Sequence, residues 1–468
     1  MTAVGVGSCD VVVVGAGPAG LAAAHRLACR GRQVVVVERA RQVGGLAASI
    51  EVAGMRVDLG SHLLHRATPA PILGMLQGLL GDDLQVRERR GRIRLGDRWV
   101  PYPLRAGTLV RTAPPRFVAG AALDVLAAPW RRPRRDTFAE VVRAGLGPTV
   151  SKGFYEPYVA KIWGEDPERL SGELARRRVS VRSPLEAARR LGRGTRIEGR
   201  TFFYPRRGFG QLCEALADAT VARGGELRLD AEVRRIRLQP DSAAVQLADG
   251  TEIRAGRVLS TVALPALAGL VDPPPAGPAA TAATRLEHRG LLLVYLVVDR
   301  PSYQPVMTHY FPGAATVLSR LSEPRHYRDG RGLDPPDRTV LCAEVPSTPG
   351  DALWSAPAED LGDLVVDSLV REGLPPPDVS ALEVRRLAHV YPLYRVGFER
   401  HLDAIEAWAT GLGRLLTLGR SGLFAPDNSH HALVMGEAAA AALSDDGHLD
   451  AEAWRRARDG FRSHVVED

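Results

Sequence analysis

Three glycines, Gly15, Gly17 and Gly20, form a GxGxxG array, and an acid, Glu38, follows the last of them by 18 residues. Backbone without side chains lets N–H groups close on a pyrophosphate, and a carboxylate at that distance accepts hydrogen bonds from a ribose hydroxyl. This spacing serves dinucleotide binding. A second pair, Gly44-Gly45, follows Glu38 by six and seven residues, and a plain NAD domain has no use for it. Histidines end two polar turns, Gly60-Ser61-His62 and Asn428-Ser429-His430. Imidazole titrates near neutrality, so His62 and His430 are the acid–base candidates; a structural hydrogen bond or a helix-cap partnership is the other reading of each. No acidic or third histidine ligand stands near His62 and His65 in sequence, so no metal site is expected.

The elements around these residues agree with that chemistry. Residues 10–14 (DVVVV) are a short β-branched run suited to a buried parallel strand, and LAAAHRLACRG reads as a helix ending at Gly31. Residues 33–38 (QVVVVE) are a second buried strand, which completes a βαβ unit with Gly15-Ala16-Gly17-Pro18-Ala19-Gly20 at its turn. Tyr204-Pro205-Arg206-Arg207-Gly208-Phe209-Gly210-Gln211-Leu212 opens another helix, with Leu212, Leu216 and Ala219 on one face and Gly224-Gly225 at its end. Three strand-like stretches follow, ELRLDAEVRRIRLQ, AAVQLADGTEIRA and GRVLSTV. GFGQLC is not a second dinucleotide turn, because it lacks the third glycine and a preceding apolar strand. Near the end, RLLTL, a Gly419-Arg420 turn and a loop lead to an alanine-rich helix that starts near Asn428 or Ser429, both good N-caps.

Composition bounds the class. The chain has 468 residues, 45% hydrophobic and 25% charged, which suits two or three interleaved globular domains. Lys152 and Lys161 are the only lysines, so 61 − 2 = 59 basic residues are arginines and the net charge is +7. The arginines are spread along the chain without interleaved aromatics, which argues against nucleic acid and for an acidic small-molecule partner. Cys9, Cys29, Cys213 and Cys342 stand far apart and read as buried thiols of a reducing compartment. The first residues have no basic run, and Val11 to Ala24 is too short and glycine-rich for a span of about 20 residues. A soluble, cytoplasmic protein is expected.

Taken together, Gly15-Ala16-Gly17-Pro18-Ala19-Gly20, Glu38-Arg39 and Gly44-Gly45-Leu46 resemble the FAD superfamily of flavin amine oxidases, protoporphyrinogen oxidase, phytoene desaturases and UDP-galactopyranose mutase. The resemblance implies that the second glycine pair passes close to the pyrophosphate and ribityl chain of FAD. Arg56-Val57-Asp58-Leu59-Gly60-Ser61-His62 looks like the superfamily's strand and turn beside the isoalloxazine. In its mutase-like and protoporphyrinogen-oxidase-like branches a histidine occupies the place of His62. The residue matching Val233 touches the adenine end through its backbone. Gly419, Arg420, Gly422, Phe424 and Asn428 match the last flavin segment, in which a helix N-terminus aimed at the flavin favours electron uptake. Ser429 and Ala432 belong to that segment by position, but Ser429-His430 replaces a frequent Met-Asp, so no acid is expected there. Tyr155-Glu156-Pro157-Tyr158 and Lys161-Ile162-Trp163-Gly164 look like a signature of bacterial protoporphyrinogen-oxidase-like proteins.

The fold expected is α/β, a doubly wound Rossmann-type FAD domain assembled from residues 8–65, 201–265 and 406–468. A mainly helical insert covers 66–200, and an antiparallel-sheet substrate domain covers 266–405, with strands in GLLLVYLVVDR, THYFPG, ATVLSRLSEP and RTVLCAEVP and a helix near 359–372. Arg320 and the stretch Tyr391-Pro392-Leu393-Tyr394-Arg395, Tyr394 and Arg395 above all, are expected to meet an anionic or polyhydroxylated substrate. The function implied is an FAD-dependent oxidase or dehydrogenase that removes a hydride from an alcohol or amine or desaturates a C–C bond, in sugar or secondary metabolism. O₂ or an external acceptor would take the electrons. The alternatives are a mutase that uses reduced FAD without net redox change and a non-catalytic FAD-bearing partner protein.

Overall fold

In the computed structural model, which describes residues 7–179 and 200–466, buried valines build the centre of the first domain. Gly7–Val14 pairs in parallel with Val34–Val37 on one side and with Glu252–Ser260 on the other. Glu226–Arg228 and Leu415–Thr417 extend this parallel core outward. Val11 to Val14 are all nearly inaccessible, because helices cover both faces of such a sheet. The helix Pro18–Cys29 packs against Ser429–Ala441 and Gln211–Val221, so three chain segments far apart in sequence close one layer. The two sequence stretches AAVQLADGTEIRA and GRVLSTV share a strand: Glu252–Ser260 runs through Gly256, makes a hairpin with Ala243–Leu247 and continues beside Leu415–Thr417.

The second sheet has seven strands, ordered Val379–Pro392, His288–Val298, Thr339–Ser347, Arg320–Ser322, Thr308–Tyr310, Gly91–Leu95 and Arg98–Tyr102. Its last two strands come from the stretch expected to be mainly helical. Leu84–Glu88 is also a strand, paired with Thr201–Pro205. Residues 84–102 therefore depart from the helical expectation. Their alternation is short (Arg92 and Arg94 out, Ile93 and Leu95 in) and lies within a proline- and arginine-rich background. Helices do dominate from 106 to 178. The helix expected near 359–372 is Ala358–Arg371.

Cys213 and Cys342 are buried, whereas Cys9 is half-buried and Cys29 exposed, so the expectation of four buried thiols holds for two. Among the described residues no helix is long and apolar enough to cross a membrane.

Candidate active site

The glycine segments converge. Gly15 has φ +103°, and a Cβ there would lie 2.1 Å from Thr261 Oγ1. A Cβ on Gly20 would lie 2.0 Å from the Gly15 carbonyl oxygen, so the turn and the helix Pro18–Cys29 close on each other only without side chains. Gly44 has φ +113° and donates its N–H to Ala16 O at 2.8 Å. That bond sets Gly44-Gly45 beside Gly17, where a Cβ added to Gly17 or Gly45 would meet nothing nearer than 3.5 Å. Bare backbone from two loops thus faces one space at a helix N-terminus, a cradle that suits a pyrophosphate. Glu38 ends its strand there and accepts N–H bonds from Ala16 and Ala40, both at 2.9 Å. Pro18 opens the helix, and Ala19 is buried against Gly419. Val233 is buried with Val14, Val35 and Val37 in the layer below, Leu46 is half-buried, and Arg39 is exposed. These residues fit FAD.

Asp58 holds the next turn. Its carboxylate accepts from Ser49 Oγ at 2.6 Å, from Phe209 N at 2.9 Å and from the Tyr204 hydroxyl. This clamps Gly60-Ser61-His62 against residues 204–210. The His62 ring stacks on Phe209 at 5.2 Å, and its Nε2 lies 3.1 Å from Leu59 O. Burial lowers the His62 pKa more than Asp58 and the Leu59 carbonyl raise it, so the ring is neutral at pH 7. A carbonyl partner requires the proton on Nε2, which leaves Nδ1 as the basic atom.

Ser61 leads across to the second sheet. Its N–H donates to Glu344 Oε1 at 2.9 Å, and Arg320 clamps the same buried carboxylate through Nε at 3.0 Å and Nη2 at 2.8 Å. Arg320 lies 6.0 Å from the Tyr310 ring and within the electrostatic reach of Tyr158 and Tyr391. Two more guanidinium groups flank Tyr391. Arg420 is 5.9 Å from its ring, and Arg178 is 5.3 Å from Trp163, which itself contacts Tyr391 at 5.5 Å. Burial, then Glu344, raises the Tyr391 pKa against the pull of the three arginines, so the phenol stays protonated. Three guanidinium groups against one carboxylate leave this wall about two charges positive. The wall draws on four strands of the second sheet, the helical insert and the Gly419–Gly422 turn.

His430 is buried, with its ring 6.2 Å from His65 and 4.0 Å from His431. His431 stacks on His464 at 4.1 Å. Below them Asp427 accepts from Arg177 Nη2 at 2.6 Å and from His464 Nδ1 at 2.7 Å. Burial raises the Asp427 pKa, but His464 and Arg177 outweigh it and hold the carboxyl below its ordinary value. Asp427, His431 and His464 carry donor atoms within 4.8 Å of one another, a grouping with no signature in the sequence, which carried no expectation of a metal site. Both Asp427 oxygens already have partners, Oδ1 on Arg177 and Oδ2 on His464, and the Asn428 N–H points at His431 Nδ1 from 3.3 Å. Asn428 caps the helix Ser429–Ala441, half-buried Ser429 begins it, and Ala432 packs into the core.

Two residues expected to meet substrate have other partners in the fold. Tyr394 is 1% exposed, stacks on Phe398 at 4.0 Å and donates its hydroxyl to Phe424 O at 2.8 Å, so it is a core side chain. Arg395 binds Glu165 at 2.6 Å and Glu287 at 3.0 Å, tying insert to sheet. Phe424 likewise lies in the core, with its ring against Tyr394 and His288. Arg320 is one of the three arginines of the wall. Glu344, Tyr310 and Arg178 were missed, since each is one polar residue in an unremarkable strand or helix.

A family model for flavin-containing amine oxidoreductases matches residues 18–415. The chain belongs to this family, and it is an FAD-dependent oxidoreductase. It is 27% identical over 449 residues to a coproporphyrinogen III oxidase of Propionibacterium freudenreichii subsp. freudenreichii, across 84% of this chain and 82% of that protein. Its fold is similar to that of reduced UDP-galactopyranose mutase, with a TM-score of 0.79 at 18% identity over 98% of this chain and all of the other. Wild-type putrescine oxidase bound to putrescine gives 0.64 at 19% identity, over 93% and 98% of the two chains.

Proposed function

We propose that this oxidoreductase takes a hydride from a small anionic substrate and not from a cationic amine. The observation that carries the reading is the sign of the wall: Arg178, Arg320 and Arg420 surround Tyr391, and Glu344 is already neutralised by Arg320. A protonated amine would be repelled there, while a carboxylate or phosphate would be matched by guanidinium forks. Residues 15–20, Glu38, Gly44-Gly45 and the Gly419-Arg420 turn would hold the cofactor, and bound FAD would accept the hydride at N5. Arg320 and Tyr391 orient the substrate, and the Gly60-Ser61 turn carries His62 beside them. His62 takes the substrate proton at Nδ1, while His430 stands second in line for that role.

Carboxylated substrates of the kind named for the coproporphyrinogen III oxidase relative fit this charge. O₂ or an external acceptor would reoxidise the flavin. An anionic sugar nucleotide fits the same wall, and that observation keeps a mutase as the second reading. The test is anaerobic addition of coproporphyrinogen III, putrescine or UDP-galactopyranose to the purified holoenzyme. The reading requires bleaching of the flavin band by the anionic porphyrinogen and none by putrescine. Bleaching by putrescine alone would overturn it. Isomerisation of UDP-galactopyranose only after NADPH reduction would select the mutase.

A further inference from the structure

The helix Pro115–Ala127 buries the wrong face for a free surface helix. Its inward side carries Phe117 and Val118, packed on Leu95, Val100 and Ala113, and its one acid, Asp124. Asp124 is buried, paired with Arg131 at 2.6 Å and bonded by Thr149 N at 2.8 Å. The outward stripe at helical spacing is Ala119, Ala122, Leu123, Leu126 and, just beyond the helix, Trp130. Leu123 is 66% exposed, Leu126 70% and Trp130 82%, and Val110 on the preceding helix is 61% exposed. A soluble domain rarely leaves such a set together without a use for it.

Charge accompanies the apolar stripe. Residues 105–135 hold seven arginines and one acid, 7 − 1 = +6, in a chain whose total is +7. The acid points inward, and Arg111, Arg116, Arg132, Arg134 and Arg135 are exposed around the apolar stripe. Arg135 has a surface partner, Glu168, at 3.5 Å. Apolar side chains bordered by arginines match the boundary between acyl chains and anionic headgroups, where the helix lies flat with its apolar face inserted.

We propose that the outer face of Pro115–Ala127, with Trp130 and the Arg131–Arg135 run, docks this protein on an anionic lipid surface. The face is separate from the FAD cradle. It is linked to the arginine wall through the insert, because the Phe117 ring sits at Gly153, next to Phe154, which contacts Tyr158 at 5.7 Å.

The test is flotation of the full-length holoenzyme with vesicles of phosphatidylcholine alone or of equimolar phosphatidylcholine and phosphatidylglycerol. Two variants, Leu126→Gln/Trp130→Gln and Arg132→Glu/Arg134→Glu, change exposed side chains only, and an unaltered flavin spectrum checks their folding. The wild type should float with the anionic vesicles and at least about tenfold less with the neutral ones, and each variant should lose about tenfold or more. Failure to float with either vesicle overturns the proposal, as does flotation that neither variant reduces. A wild-type dimer that Leu126→Gln/Trp130→Gln converts to monomer, with no lipid binding, assigns the face to a second copy of the chain and overturns it as well.

Discussion

Arg320 and Glu344 act as one unit. Each guanidinium–carboxylate contact is within 3.0 Å, and Glu344 is nearly inaccessible. Removing one partner strands a buried charge, which costs about 3–5 kcal/mol, whereas replacing both is often close to neutral. Arg320→Met should therefore lower stability by that amount, and Arg320→Met/Glu344→Gln should recover most of it. The double variant should still show a raised KM for an anionic substrate, since the Arg320 guanidinium beside Tyr391 is gone; thermal unfolding and steady-state kinetics separate the two effects. The buried histidines supply a second expectation. Burial pushes His309 and His431 down to about 3, and it lowers His62 as well. Their folded values lie below the unfolded value of about 6.5, so the unfolded chain binds the protons first on acidification. Stability should be flat above about pH 7 and fall as pH drops from about 6.5 toward 3. His309→Gln, which removes one such group, should make that fall shallower in a melting series.

At the scale of elements, the cofactor cradle depends on loops that must touch. Gly44 combines a left-handed φ with a Cβ position 2.7 Å from Ala48 Cα, so Gly44→Val displaces the loop from Ala16 and Gly17. That protein should purify with less than about one-tenth of the wild-type FAD, read from the ratio of visible to ultraviolet absorbance. The helix Ser429–Ala441 relies on a capping box, in which the Asn428 side chain accepts from the third helical N–H and the His431 ring accepts from the Asn428 N–H. Asn428→Ala should cost about 1 kcal/mol and Asn428→Asp much less, a difference that denaturant midpoints resolve. The long strand Val379–Pro392 was not anticipated, because Arg385, Arg386 and Glu383 interrupt its apolar residues. It is an edge strand that covers His288–Val298 and needs apolar side chains on one face only.

At the scale of the whole molecule, the net charge of +7 and the positive wall should speed capture of an anion. Raising ionic strength from about 10 mM to about 150 mM shortens the screening length from about 30 Å to about 8 Å. The value of kcat/KM for an anionic substrate should fall severalfold over that range, and that for a neutral analogue should stay level. A level profile for both would remove long-range attraction from the account. The second sheet is tied to the segment Asp58–Ser61 through single side chains. Tyr295 donates to Asp58 O at 2.7 Å, and Ser61 N donates to Glu344, so two strands of that sheet are fastened at the same turn.

The βαβ unit, the second glycine pair and the late N-cap were legible in the sequence, because each rests on local rules: β-branched burial, backbone freedom at Gly15 and Gly44, and a side-chain oxygen ahead of a helix. Arg320 was legible only as one arginine among many. Its meaning comes from Glu344, Tyr310, Tyr391 and Arg178, which lie on four other segments and meet only after the second sheet forms and the insert packs on it. Tyr394 and Arg395 show the converse: neighbours of Tyr391 in sequence, they turn into the core and toward Glu165, because the strand ends at Pro392 and its alternation does not reach them. Local chemistry determined which cofactor the chain could cradle. Long-range packing decided which charges face it, since the sign of a site is a sum over residues that only the tertiary structure brings together.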